Sequence, residues 1–234
     1  PSLSLTAQRE FNSNTRIFSK LSYSSKLPSL VDRYYEMPGF FQGNPDLDLE
    51  QSLMILTGVS WNQKFFQQQI QVYFQKLNSV QLSTQLESGV MSMENQGSAQ
   101  IMALVHSIDY ELSRKVTFSH SLSLVQSYVA DLGQPYYYLP TATEVLTVDA
   151  QPLENYSKFR SGLDFRVQSY SVYNAQGDRL PGFGRFDLWF TNETRVKFAQ
   201  LDFQYGLRIN NISNRQTETI RYYPSQGRSF SFFV

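Results

Sequence analysis

Three clusters set aromatic rings beside arginine or beside one another: Arg33, Tyr34 and Tyr35 followed by Phe40 and Phe41; Tyr136, Tyr137 and Tyr138; and Arg221, Tyr222 and Tyr223. Such rings stack on planar ligands, and a neighbouring guanidinium gives charge-assisted hydrogen bonds to anions, so these residues are the candidate ligand contacts. The same residue types also suit an aromatic girdle at a membrane boundary, or packing between loops. No reaction chemistry accompanies them. His106 and His120 are the only histidines, cysteine is absent, and neither histidine has the flanking carboxylate spacing of a metal motif. Both histidines fall in phase with apolar neighbours, which points to ordinary surface or interface roles. Glu50, Asp109, Glu111, Asp164 and Asp187 show no acid–base pairing, and there is no phosphate-binding loop, dinucleotide fingerprint or nucleophile elbow. The pattern points away from an enzyme and from any bound cofactor or resident metal.

What must position those clusters is set by composition. Phe and Tyr number 18 and 15 among 234 residues, yet the formal net charge is zero and the mean hydropathy is −0.36. Abundant rings in a chain rich in Gln, Ser and Asn suit surfaces on which apolar and polar residues alternate. The most apolar stretches, such as 53–59, fall far short of the roughly 20 residues that a membrane-spanning helix needs. A bilayer would therefore be crossed by strands. Neutral charge and the lack of a basic stripe argue against nucleic acid. The sequence starts at Pro1 without a charged and then apolar leader pattern, so a leader has been removed or the chain is a piece of something longer.

Period-two alternation recurs from end to end. Ala199, Leu201, Phe203, Tyr205, Leu207 and Ile209 oppose Gln200, Asp202, Gln204, Gly206, Arg208 and Asn210. Phe66, Ile70, Val72 and Phe74 oppose a row of glutamines. Val116, Phe118, Leu122 and Leu124 oppose Thr117, Ser119, Ser121 and Ser123, and Phe159, Leu163, Phe165 and Val167 oppose Lys158, Arg160, Asp164 and Arg166. The charged row is the solvated wall of an aqueous interior.

The connections alternate between two kinds. Short polar turns are expected at 12–14, 62–64, 113–115, 152–155 and 192–194, and longer loops at 29–47, 85–97, 134–140, 174–182 and 211–227. Short turns on one side and long loops on the other are the signature of an outer-membrane barrel. Counting the weak segment 141–151 as a strand gives about eleven strands. The fold class is thus all-β, an antiparallel transmembrane β-barrel. Single-chain bacterial barrels have even strand numbers, so an odd count points to the back part of a larger one, with residues 1–234 as a single barrel segment.

Three stretches then carry a resemblance to a known family. Ser22-Tyr-Ser-Ser-Lys-Leu-Pro-Ser-Leu-Val-Asp-Arg-Tyr-Tyr35 is similar to a strand leading into an "R-x-P-S-L-x-E-L-Y" loop. Gly43-Asn-Pro-Asp-Leu-Asp-Leu-Glu50 is close to "G-N-P-x-L-x-P-E", with Leu49 in place of Pro. Leu207-Arg-Ile-Asn-Asn-Ile-Ser-Asn214 and Tyr222-Tyr-Pro-Ser-Gln-Gly-Arg228 look like the family's ending, although Val234 replaces the usual final Phe. Together they resemble the TonB-dependent outer-membrane receptors. In local terms Gly43, Asn44 and Pro45 make a tight turn in which Asn tolerates left-handed geometry, and Gly227 does similar work before Arg228.

The resemblance implies the C-terminal half of a twenty-two-stranded barrel. It implies residence in the outer membrane of a Gram-negative bacterium and TonB-energised uptake of a scarce ligand, such as a metal chelate or siderophore, cobalamin, a glycan or a peptide. The implied partners are the missing N-terminal barrel half and plug, in the same polypeptide or a separate chain, the TonB complex through that part, and outer-membrane lipid. Two other readings of the pattern are a passive diffusion channel and a soluble carbohydrate-binding β protein.

Overall fold

The computed structural model describes residues 2–151, 159–174, 177–196 and 201–233. Its framework is one antiparallel sheet of eleven strands in chain order: β1 (Ser2–Asn12), β2 (Thr15–Lys26), β3 (Glu50–Asn62), β4 (Phe66–Gln85), β5 (Met91–Ser113), β6 (Val116–Val129), β7 (Ala142–Ala150), β8 (Arg160–Gln168), β9 (Phe183–Val196), β10 (Leu201–Asn210) and β11 (Ser229–Phe233). The weak segment 141–151 is a true strand, β7, and restores the alternation of sides. Among the described residues, β1 and β11 each pair on one edge only.

The pairing register carries each face unbroken from strand to strand. Leu5 lies opposite Leu21, Leu21 opposite Ile55, Ile55 opposite Phe74 and Phe74 opposite Met102. Farther on, Phe118, Val148, Leu163, Leu188, Ile209 and Phe230 face one another in succession. This apolar face is uncovered: Ile55 is 47% exposed, Met102 52% and Leu104 42%. The opposite face is polar in the same registers. Gln67, Asp109, Ser119, Thr147, Asp164 and Asp187 form one row across six strands. Within it Ser119 Oγ donates to Asp109 at 2.6 Å, and Thr147 Oγ1 to Asp164 at 3.0 Å.

Three glycines on the polar face sit directly opposite a ring: Gly58 opposite Phe18, Gly162 opposite Trp189 and Gly206 opposite Phe233. A Cβ on Gly162 would lie 2.3 Å from the indole, and one on Gly206 would lie 2.4 Å from the Phe233 ring. The ring lies over the bare glycine backbone and shields a position that would otherwise weaken the strand.

Two connections differ from expectation. The loop expected at 85–97 is only 86–90, because β4 and β5 pair as far as Gln85 and Met91 and extend as a long hairpin beyond their neighbours. Phe41 and Gln42 add a short parallel pairing to Met91 and Ser92, satisfying backbone groups there. The turn expected at 192–194 lies inside β9. Asn192 pairs with Tyr205 and donates its amide to the Tyr205 hydroxyl at 2.6 Å, so a residue typical of turns serves as a cross-strand donor, and β10 is described from Leu201. Pro1, Lys158, Ala199, Gln200, Val234 and the turn expected at 152–155 lie outside the described residues. No described helix is long and apolar enough to cross a membrane.

Substituting Gly162→Ala is expected to destabilise the protein by ~1–3 kcal/mol through overpacking against the indole. Trp189→Leu in the same chain should recover part of that loss. Urea unfolding of Gly162→Ala, Trp189→Leu and the double variant beside the parent checks it.

Candidate ligand face of the outer loops

The long connections cluster at one end of the sheet and fall into two groups by how tightly they are held. In the first loop, 27–49, a capping box starts the short helix Leu30–Tyr34: Asp32 N–H donates to Ser29 Oγ at 3.0 Å, and Ser29 N–H to Asp32 at 3.3 Å. Arg33 donates to the Leu47 carbonyl, and Leu47 is buried. The loop is pinned to the β4–β5 hairpin by Asn44 Nδ2 donating to Met93 O at 3.0 Å, and by Asp48 N–H donating to Asn95 Oδ1 at 2.8 Å. Asn44 therefore works through its side chain, since it is not among the residues of positive φ. Gly43 is required by close approach, a Cβ there meeting Arg33 O at 2.6 Å. Gly227 likewise has no positive φ, and a Cβ there would lie 2.9 Å from Asn214 Oδ1. Tyr35 and Phe41 rings lie 6.3 Å apart, while Tyr34 and Phe40 point into solvent.

The third loop, 130–141, folds back over the polar face beside the hairpin. Leu77, Val80, Leu82, Ala99, Ile101 and Val129 form a small buried core beneath it, covered by Leu132, Tyr136, Tyr137 and Leu139. Tyr136 and Tyr137 thus pack as a lid. Burial, with the Glu50 carboxylate adding to it, pushes the Tyr136 phenol up to about 12, and burial alone raises Tyr137. Tyr138 remains exposed at φ 57°, and its N–H donates to Val172 O in the fourth loop at 2.6 Å.

The fourth loop, 169–182, and the fifth, 211–228, each fold a two-stranded hairpin and meet each other. Arg221 lies 5.5 Å from the Tyr173 ring centroid and 4.7 Å from that of Tyr222, and ion-pairs with Glu218 at 3.5 Å. A hydrogen bond with Tyr222 is the main reason its pKa rises. Arg179 sits 4.3 Å from the Tyr170 centroid. Tyr222 and Tyr223 are 79% and 72% exposed, which leaves this group open to a ligand. The structure therefore joins Arg221 and Tyr222 to Tyr170, Tyr173 and Arg179, which the clustering of rings in sequence did not select. Tyr170 and Tyr173 are separated by two residues in a Ser-rich stretch, and the spacing that marks them is visible only once the hairpin forms.

Asn211 roots the fifth loop. It is buried at φ 52°, its side chain bonds Arg215 and Gln226 backbone, and its N–H donates to Asp187 Oδ1 at 2.8 Å. Arg228 closes the loop by donating to Ile212 O. On the polar face below, Arg185 and Arg208 donate to Asp187 at 3.0 and 3.3 Å, and Arg208 also to Asp164 at 2.9 Å.

The histidines lie on the apolar face. His106 Nε2 is 2.9 Å from the Gln68 amide nitrogen, the two histidine rings are 6.0 Å apart, and His120 Nε2 is 3.1 Å from Glu144. Apolar residues flank this row along each strand. Among the described residues, no three His, Asp or Glu side chains form a metal-binding group.

No protein-family model matches the sequence, and a search of curated proteins finds no match. Solved structures do match. The copper transporter OprC is 14% identical, with a TM-score of 0.76 over 97% of this chain and 38% of that one. The ferric enterobactin receptor PfeA from Pseudomonas aeruginosa, in a single-residue variant, is 14% identical at a TM-score of 0.73, over 99% of this chain and 40% of that one. The siderophore receptor PirA from Acinetobacter baumannii is 12% identical at 0.71, over 98% and 40%. At such identities the likeness is one of fold. The chain has the fold of part of the β-barrel of TonB-dependent receptors. It spans about two fifths of the length of the structures it matches.

Because the fold holds Tyr136 neutral, its contribution to stability is complete below about pH 10, the ordinary tyrosine range. It is lost as pH rises from there through about 12. In an ultraviolet difference titration, Tyr136→Phe should remove an ionisation near the upper value, and the parent's third loop should become protease-sensitive over that window.

Proposed function

We propose that this chain is the C-terminal segment of an outer-membrane receptor barrel in a Gram-negative bacterium, taking up a scarce ligand with energy delivered through TonB, and that it is not an enzyme. The observation that carries the reading is the uncovered apolar face, in register across eleven strands and backed by an equally continuous polar one. Only a solvent that is itself apolar leaves such a face unburied without penalty, and a closed barrel satisfies backbone groups inside it. The polar face would line the lumen. The matched structures include a copper transporter and receptors for ferric enterobactin and siderophores, which supports a metal or a metal chelate as cargo here. Ligand capture falls to the fourth and fifth loops, where Arg221, Tyr222 and Tyr223 are open and the rings of Tyr170 and Tyr173 are held beside arginine. Tyr136 and Tyr137 serve the scaffold, and Arg33, Tyr34, Tyr35, Phe40, Phe41 and Tyr138 form the rest of the rim. The chain supplies the wall, and the remainder of the barrel and an interior plug complete it.

Imaging of the detergent-purified full-length protein, with intact mass of every chain, tests the reading. About twenty-two strands around a filled lumen is the expected outcome. A closed barrel made by this chain alone, with an open conducting lumen, would replace it by a diffusion channel.

Leu104→Arg in lipid vesicles should cost ~2–4 kcal/mol of unfolding free energy, whereas Ser107→Arg on the opposite face should cost well under half of that. In a panel of ferric chelates, the one that binds the parent should bind Arg221→Ala about tenfold more weakly, a loss of ~1.4 kcal/mol. Equilibrium fluorescence titration measures it.

A further inference from the structure

We propose that Asp187 is a positioning residue that couples the lumen wall to the outer ligand face, so that an acidic group pressing on the wall from inside is sensed at the fifth loop. This rests on the barrel reading above, in which the polar face lines the lumen.

Asp187 belongs to both places at once. It is only 3% exposed, and its two oxygens are divided between two structures. Oδ1 accepts the N–H of Asn211, the residue that roots the fifth loop. Oδ2 accepts from Arg185 and Arg208 on the wall. The next residue of β9's edge contact runs the same way, since Ile212 N–H donates to Phe186 O at 2.8 Å. A shift of the carboxylate therefore moves the loop root and the arginines together.

The wall side of this link is built to take an anion. Asp164, Arg166, Arg185, Asp187 and Arg208 line one cleft with Val145 and Thr147. Three arginines against two aspartates leave one positive charge in excess. Nε of Arg185 and Nε of Arg208 are buried without a hydrogen-bond partner. A carboxylate entering the cleft meets the partly exposed terminal nitrogens of Arg185 and Arg208, and so competes with Asp187 for the same two guanidinium groups. The loop side of the link is equally specific. Asn211 holds the fifth loop through its own side chain, and that loop carries Arg221 and Tyr222. The occupant that fits is a carboxylate-bearing segment of polypeptide inside the barrel, contributed by the part of the receptor that this chain does not span.

Coupling is reciprocal, and that makes it testable without a ligand. The chain contains no cysteine, so single reporters can be placed in the full-length protein once any cysteine elsewhere is replaced by serine. Thr219→Cys carries a spin label on the fifth loop, Glu36→Cys a control label on the first loop, and Val145→Cys reports from the cleft through its rate of thiol modification. Asn211→Gly, a loop-side change that keeps the backbone free to adopt positive φ, should alter modification at position 145 at least threefold. Arg208→Gln, a wall-side change, should raise label mobility at position 219 and leave position 36 unmoved. In an Asp187→Asn background both cross-effects should vanish. Cross-effects that are absent from the parent, or that persist in the Asp187→Asn background, overturn the proposal. If Asp187→Asn does not assemble, the two cross-effects in the parent still decide whether coupling exists. Because neither readout involves transport or cargo, these outcomes are independent of whether the uptake reading holds.

Discussion

Register is the constraint on which the rest depends. Side chains alternate with a period of two, so a slip of one residue at any of the ten strand interfaces would turn an apolar row to the polar side. Here the register holds along the body of each described interface and shifts only beside two turns, between Glu10 and Asn12 and between Glu111 and Ser113. Leu21 faces Ile55 and Ile55 faces Phe74, while on the other side Thr147 faces Asp164 and Asp164 faces Asp187. The sheet buries little between layers because it has none to pack against. Its cohesion comes from the backbone ladder, from cross-strand pairs such as Phe165 stacked on Phe186 at 4.3 Å, and from rings laid over glycine.

The β4–β5 hairpin turns this wall into a platform for the loops. By continuing past its neighbours it offers Asn95 and the Met93 carbonyl to the first loop, and Leu77, Val80 and Ile101 to the third. Those loops become part of the scaffold. The fourth loop is tied to the third where Tyr138 N–H meets Val172 O, and the fourth and fifth are held by each other through Arg221 and Tyr173 and by Asn211 at the root. On that side Tyr222 and Tyr223 stay exposed beside Arg221, whereas Tyr136 and Tyr137 on the other are packed down.

Two polar groups depart from the simple two-faced scheme, and they depart differently. Gln68, His106, His120 and Glu144 interrupt the apolar face but satisfy one another across four strands, which lowers the cost of placing them there. Asp187 lies where polarity is expected but is buried, with its acceptors committed to three donors. Removing any one of these donors would leave part of a buried charge unpaired, which is why it holds its neighbours so firmly.

Alternation, turn residues and strand count determined by themselves that the chain is an antiparallel barrel wall of eleven strands, and even the weak seventh strand was legible, because these depend on local period and spacing. The reach of the β4–β5 hairpin was not legible, since Ser, Met, Glu and Asn at 92–95 read as loop until the first loop pairs with them. Nor was the position of Asn192, whose use as a cross-strand donor depends on Tyr205 being opposite. Of the candidate contacts, sequence marked the aromatic and arginine clusters as a set. Only the tertiary structure separated Tyr136 and Tyr137, which cover a core, from Arg221 and Tyr222, which meet Tyr173 across a loop boundary. Residue type records what a side chain can do; which of those capacities is spent on packing and which is left for a ligand is settled by neighbours distant in sequence.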